Sequence, residues 1–153
     1  MLGIYKRKES GRSMVEIVGV LAMMGLITAG AFVLIRNGMA TQKRNTVIDD
    51  VSKIVTGIRT LYAEYDDLSE LKNKGNDAMA AMEIDTKGPY ENTVYSVDMD
   101  ASDSSRFVIT IKKLPAKDCV VLAAKKWPDS VPGGKTSNCT SGGDYKIAIT
   151  YDK

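Results

Sequence analysis

The apolar and polar positions of this chain fall into three regimes. From Ile17 to Ile35 no residue is charged and almost all are apolar. As a helix rising ~1.5 Å per residue, that run spans roughly 28 Å, close to the hydrocarbon thickness of a bilayer. From Val47 onward the pattern becomes Val47, Val51, Ile54, Ile58, Leu61, Tyr65 and Leu68, with Lys43, Arg44, Asp49, Asp50, Lys53 and Arg59 on the other faces. Alternating steps of four and three predict an amphipathic helix with one buried stripe. Arg36-Asn37-Gly38 lies between the two halves as a soft spot, since an interior glycine costs ~1 kcal/mol relative to alanine. A continuous helix from about Met14 to Leu68 would be a rod of roughly 80 Å, of which only the second half has a stripe for a head to pack on.

After Leu68 the periods shorten. Asn73-Lys74-Gly75-Asn76 is a turn cluster, and Asp77 to Met82 a weak short helix. Gly88-Pro89 breaks the chain before a strand from Thr93 to Met99. Phe107 to Lys113 is the strongest strand pattern, apolar at Phe107, Ile109 and Ile111. Pro115 opens a second helix, Ala116 to Trp127, containing Cys119; Gly133-Gly134 and Gly142-Gly143 bracket a loop containing Cys139. In the closing segment Tyr145, Ile147, Ile149 and Tyr151 alternate with Lys146, Ala148 and Thr150, predicting an antiparallel strand with one face on a core that includes the amphipathic helix. The fold class is therefore α+β. A long N-terminal helix with an apolar and an amphipathic half packs against a small antiparallel-sheet head.

Glu16 stands at the mouth of the apolar run. A carboxylate in a spanning segment costs free energy unless something neutralises it, which makes it a functional candidate. Gly19, Ala22, Gly25 and Ala29 line small residues along one helical face, where another apolar helix can approach closely. Ahead of them, Met1 to Gly11 is a short polar leader with Lys6, Arg7 and Lys8, and the acid is the fifth residue after Gly11.

A basic leader ending in glycine, an acid five residues on and about twenty apolar residues resemble the class III signal sequence of type IV pilins and the related pseudopilins of type II secretion. The resemblance implies a prepilin peptidase cut between Gly11 and Arg12, methylation of the new N-terminus at Arg12, and a role in subunit assembly for Glu16. It also implies that Gly25 falls at the family's helix-weakening glycine. Family members usually begin the mature chain with Phe or Met, where this one has Arg12. The absence of proline between Gly11 and Ile35 leans toward the type IVb branch, which includes conjugative thin-pilus pilins. In physical terms, cleavage frees an amine at Arg12 that is largely cationic at neutral pH. It can meet the Glu16 carboxylate of a staggered neighbour and offset the burial cost of both charges. A generic signal anchor and a secretory signal peptide are the competing readings, though the latter needs a shorter apolar region and an Ala-x-Ala-like cut.

Composition narrows the picture. The 153 residues allow one ordinary domain, and the segments divide as 1–11 leader, 12–36 apolar helix, 37–68 amphipathic helix and 69–153 head. Net charge is +2, and loss of a leader with three basic residues and one acid leaves 18 side chains of each sign, so no nucleic-acid partner is expected. With no histidine and only two cysteines, Ser-His-Asp and Cys-His catalysis and a thiolate zinc cage are all excluded. No enzyme activity, cofactor or metal is expected. Asp98, Asp100, Ser102 and Asp103 imitate part of a calcium loop but lack its glycine and distal glutamate, and read as a solvated turn. The pairs Lys112-Lys113 and Lys125-Lys126 read as solvated faces, Trp127 as a core anchor, and the sequon Asn138-Cys139-Thr140 as irrelevant in a bacterial host.

Cys119 and Cys139 are the second mark of the resemblance. In pilins a C-terminal disulfide encloses a variable surface region, and in an oxidising compartment these two would pair. A bridge across a loop of that length contributes on the order of 3 kcal/mol, useful to a small head. Two free thiols in a cytosolic protein are the alternative.

The resemblance implies a structural subunit of a type IV pilus. It would enter the inner membrane as a precursor with its head in the periplasm, meet a prepilin peptidase, an assembly platform and membrane lipid, and end as a homo-oligomeric surface filament. A periplasmic pseudopilin is the alternative; the disulfide and the lack of a calcium loop favour the pilin.

Overall fold

A computed structural model describes residues 14–140 and 143–153. They divide into two compact units, one ending at Ala40 and the other running from Thr41 to Lys153. Helix α1 (Met14–Leu61) contributes to both.

In the first unit α1 is exposed from Met14 to Met39, and it is long and apolar enough to cross a membrane. Thr28 turns its hydroxyl back onto the Met24 carbonyl at 2.8 Å, so its one polar group needs no water. The helix runs unbroken through Gly25 and through the expected soft spot at Arg36-Asn37-Gly38.

The second unit is a four-stranded antiparallel sheet with helices on one face. Its strands are β1 (Val94–Met99), β2 (Arg106–Lys112), β3 (Ser130–Asn138) and β4 (Lys146–Asp152), in the order β1-β2-β4-β3. Inward alternation puts Tyr95, Val97, Phe107, Ile109, Ile111, Ile147, Ile149 and Tyr151 into one core with Val47, Val51, Ile54, Val55 and Ile58 of α1. Phe107 and Tyr151 stack across β2 and β4 with ring centroids 5.7 Å apart.

Helix α1 ends at Leu61 and not at Leu68. Glu64, Asp66 and Asp67 would put three acids at the negative end of the helix dipole. Asp67 instead accepts the Ser69 amide, a local turn that competes with helix, and the Leu68 amide goes to the Ser104 carbonyl. Leu68 is buried as its spacing predicts, but on a turn leading into a 3-10 turn at Ser69–Leu71; Leu61 and Tyr65 are exposed.

Helix α2 (Gly75–Ala81) starts against the open edge of β1. A Cβ on Gly75 would overlap the Val97 carbonyl oxygen, so only glycine lets the helix come this close. Tyr95 N–H is taken by the Thr86 carbonyl, and the edge of β1 is thus covered by the chain between α2 and β1.

Helix α3 (Ala116–Ala124) stops three residues before Trp127. Pro128 disfavours helical geometry at the residue before it, and the Trp127 indole donates to the Leu122 carbonyl at 3.2 Å. Lys135 Nζ donates to the carbonyls of Ala123 and Lys125, closing the helix end from β3.

The segment expected to be a glycine-bracketed loop contains β3. Ser130 pairs with Tyr151 and Lys135 with Ile149, so Val131 to Gly134 bulge out of the ladder. Gly133 has φ +78°, and Gly134 lies where a Cβ would crowd Thr150. These two glycines shape a strand; Gly142, the other half of the expected bracket, lies outside the described residues.

Candidate functional site

The cleavage pair Gly11 and Arg12 lies outside the described residues. Glu16 is in the first turn of α1, where a carboxylate is favoured by the helix dipole, and it heads an exposed apolar flank of Ile17, Val20, Leu21 and Met24. Gly19, Ala22, Gly25 and Ala29 are all exposed, and a Cβ on Gly19 or Gly25 would meet nothing within 4 Å. Among the described residues, nothing fills the space beside these two glycines.

Cys119 and Cys139 form a disulfide with their Cα atoms 5.6 Å apart. Cys119 is fully buried in α3 and Cys139 directly follows β3, so the bridge ties the helix to the edge strand. The enclosed segment is therefore the rest of α3 and all of β3 rather than a loop alone.

Polar links among the described residues lock α1 onto this frame within the second unit, and none was legible beforehand. Arg44 Nε donates to Asp118 Oδ1 at 2.6 Å, beside the disulfide. Tyr95 OH donates to Asp50 Oδ2 at 3.0 Å. Arg59 Nε donates to the Asp152 carbonyl at 3.1 Å and its guanidinium lies 3.7 Å from Asp129. Each uses a residue flanking the buried stripe of α1, which was the available signal, but the partners lie up to 93 residues away. Tyr90 sits against the first link with Lys43 over its ring at 5.5 Å. Its hydroxyl is buried without a hydrogen bond among the described residues; burial, then the Asp118 carboxylate, push its pKa up to about 12.

The acidic turn between β1 and β2 is organised by the protein itself. Asp100 accepts from the amide and hydroxyl of Ser102, and Asp103 likewise from Ser105, which holds both carboxyls below their usual range. Asp98 Oδ1 accepts the Asn73 amide. Among the described residues, no three His, Cys, Asp or Glu side chains gather as a metal site.

No curated protein matches the chain. The sequence model of the family described as Bundlin matches residues 38–153, which takes in the amphipathic half of α1, the whole sheet and the disulfide. With that match covering well over half of its length, and with this helix, sheet and bridge, the chain belongs to the bundlin family of type IV pilins.

Proposed function

We propose that this chain is a structural subunit of a type IV pilus, made as an inner-membrane prepilin, cut between Gly11 and Arg12, methylated at Arg12 and assembled through its N-terminal helix into a surface filament. The observation that carries this reading is the contrast between the two halves of α1. Its residues 14–39 expose an apolar surface among the described residues, while the head has a closed core. An apolar helix of this length belongs in lipid or among its own copies. The small face of Gly19, Ala22, Gly25 and Ala29 suits the second environment, and Glu16 supplies the charge that pairs with a neighbour's Arg12 amine.

In the membrane Glu16 lies near the end of the spanning run, within reach of headgroups and water, so its cost there is small. Enclosed among helices, it needs the amine to avoid a penalty of several kcal/mol. Glu16→Gln keeps the shape and removes the charge. The variant protein should insert, be cut after Gly11 and give few or no filaments when cells are sheared. Normal filament yield would sink the pairing mechanism, and a mature N-terminus other than Arg12 in mass spectra would sink the assignment of the leader.

A further inference from the structure

The sheet face turned away from α1 is polarised along its strands. Because Tyr95, Ile111 and Ile147 point inward, their neighbours Val94, Lys112 and Lys146 point outward. Lys87 bridges to Val94, Val94 pairs with Lys112, and Lys146 pairs with Asn138. Lys112 and Lys146 both follow on from the Ile111–Ile147 pair, so they are cross-strand neighbours. One end of the outer face is therefore a row of three exposed lysines, and among the described residues none of them is in an ion pair. Two like charges directly opposite each other are unfavourable in an isolated sheet.

The next row outward is Ser96, Thr110, Ala148 and Thr136, all small; Thr136 is exposed and the other three are partly exposed. Asp98 follows, beside Val108. At the far end lie Asp152, with its side chain 61 % exposed, and the turn acids Asp100 and Asp103. Arg106 is bound there to Asp152 at 2.8 Å and Asp103 at 3.4 Å, and four acids against it leave the end net negative.

We propose that this outer face docks on the same face of a second copy, turned end for end. A two-fold axis lying in the interface and across the strands sets the lysine row of each copy on the acid end of the other. The same contact is then made twice, as an isologous interface requires. The middle row carries no large side chain to hold the two sheets apart. Each face offers roughly 300 Å² from strand spacing and rise, well below the ~800 Å² per partner of a standard stable interface. A single contact is therefore weak, and it gains strength where copies are already held in an array. The inference goes beyond the proposed function and its test does not need filaments.

The full chain, in neutral detergent micelles at millimolar concentration, is mixed from ¹⁴N- and ¹⁵N-labelled batches and treated with a carbodiimide, which joins amines to carboxylates in direct contact. Lys112 and Asp98 lie too far apart within one chain for such a bond. The expected products are mixed-isotope links from Lys112 or Lys146 to Asp98 or Asp152, weakened by salt. Lys112→Glu/Lys146→Glu and Asp98→Lys/Asp152→Lys should each lose dimer links by about fivefold or more, since each faces a like charge, and should link to each other when mixed. Absence of those links in the natural chain, or no recovery in the mixture, overturns the proposal. So does finding no links while phosphatidylglycerol vesicles bind the chain and release Lys112→Glu/Lys146→Glu; that result would make the lysine row a lipid-headgroup surface.

Discussion

The hydroxyl of Tyr95 on β1 donates to Oδ2 of Asp50 on α1 across 3.0 Å, from a residue only 1 % exposed. The two partners are not equivalent, because the Asp50 side chain is 23 % exposed and can turn to water. Tyr95→Phe should therefore cost about 1 kcal/mol, the net worth of an ordinary hydrogen bond. Asp50→Ala leaves a buried hydroxyl without a partner and should cost about 1–3 kcal/mol. Denaturant titration of both variants checks the order; equal losses would mean that the hydroxyl finds another acceptor.

Alkali should loosen the head through its buried tyrosines. Burial raises the phenol pKa of Tyr90 and of Tyr151 to about 12, and burial followed by the Asp50 carboxylate raises that of Tyr95 further. With folded values above the unfolded value of about 10, the unfolded chain loses protons first. This contribution to stability is then complete below about pH 10 and falls as pH rises through the folded values. Unfolding free energy measured from pH 9 upward should decline across this range, and Tyr151→Phe should flatten the slope. A flat profile to pH 12 in the natural chain would contradict the burial argument.

Removing the bridge should cost far more than its two sulfur atoms suggest. Cys119→Ser releases a closed segment with a sequence separation of 20 residues and frees β3 from α3. A loss of about 2–5 kcal/mol is expected, as for native disulfides of small domains. Thermal melts of the variant and of the reduced natural chain should agree with each other and lie well below the oxidised chain.

Two glycines should respond in opposite directions to the same change. Gly75→Ala drives a methyl group into the Val97 carbonyl, where the neighbour is backbone and cannot turn aside. It should destabilise the head by about 1–3 kcal/mol, as overpacking does. Gly38→Ala meets open space in the middle of α1 and should stabilise the helix by up to ~1 kcal/mol. Helical content and melting temperature of the two variants in detergent test the contrast.

Periodicity alone determined the large divisions of this chain. The uncharged run from Ile17 to Ile35 and the stripe at Val47, Val51, Ile54 and Ile58 are local properties, because each residue's neighbours on a helix are its own neighbours in sequence. The alternation in β2 and β4 was legible for the same reason, and it correctly assigns Ile109 and Ile149 to the core. Glu16 and the run of small residues were visible as candidates because a charge or a glycine in an apolar helix needs a reason. Tertiary structure decided the rest. Leu68 is buried on a turn, since the acids before it favour local hydrogen bonds and Ser104 offers its amide a partner. Strand β3 has almost no apolar alternation, being an edge strand whose residues are mostly exposed, and it exists because β4 lies open beside it. Gly75 is obligatory only once Val97 is in place. Arg44, Asp50 and Arg59 had no visible partners, because an ion pair or hydrogen bond is chosen by distance in space, and folding brings Asp118, Tyr95 and Asp152 to them from 45 to 93 residues away.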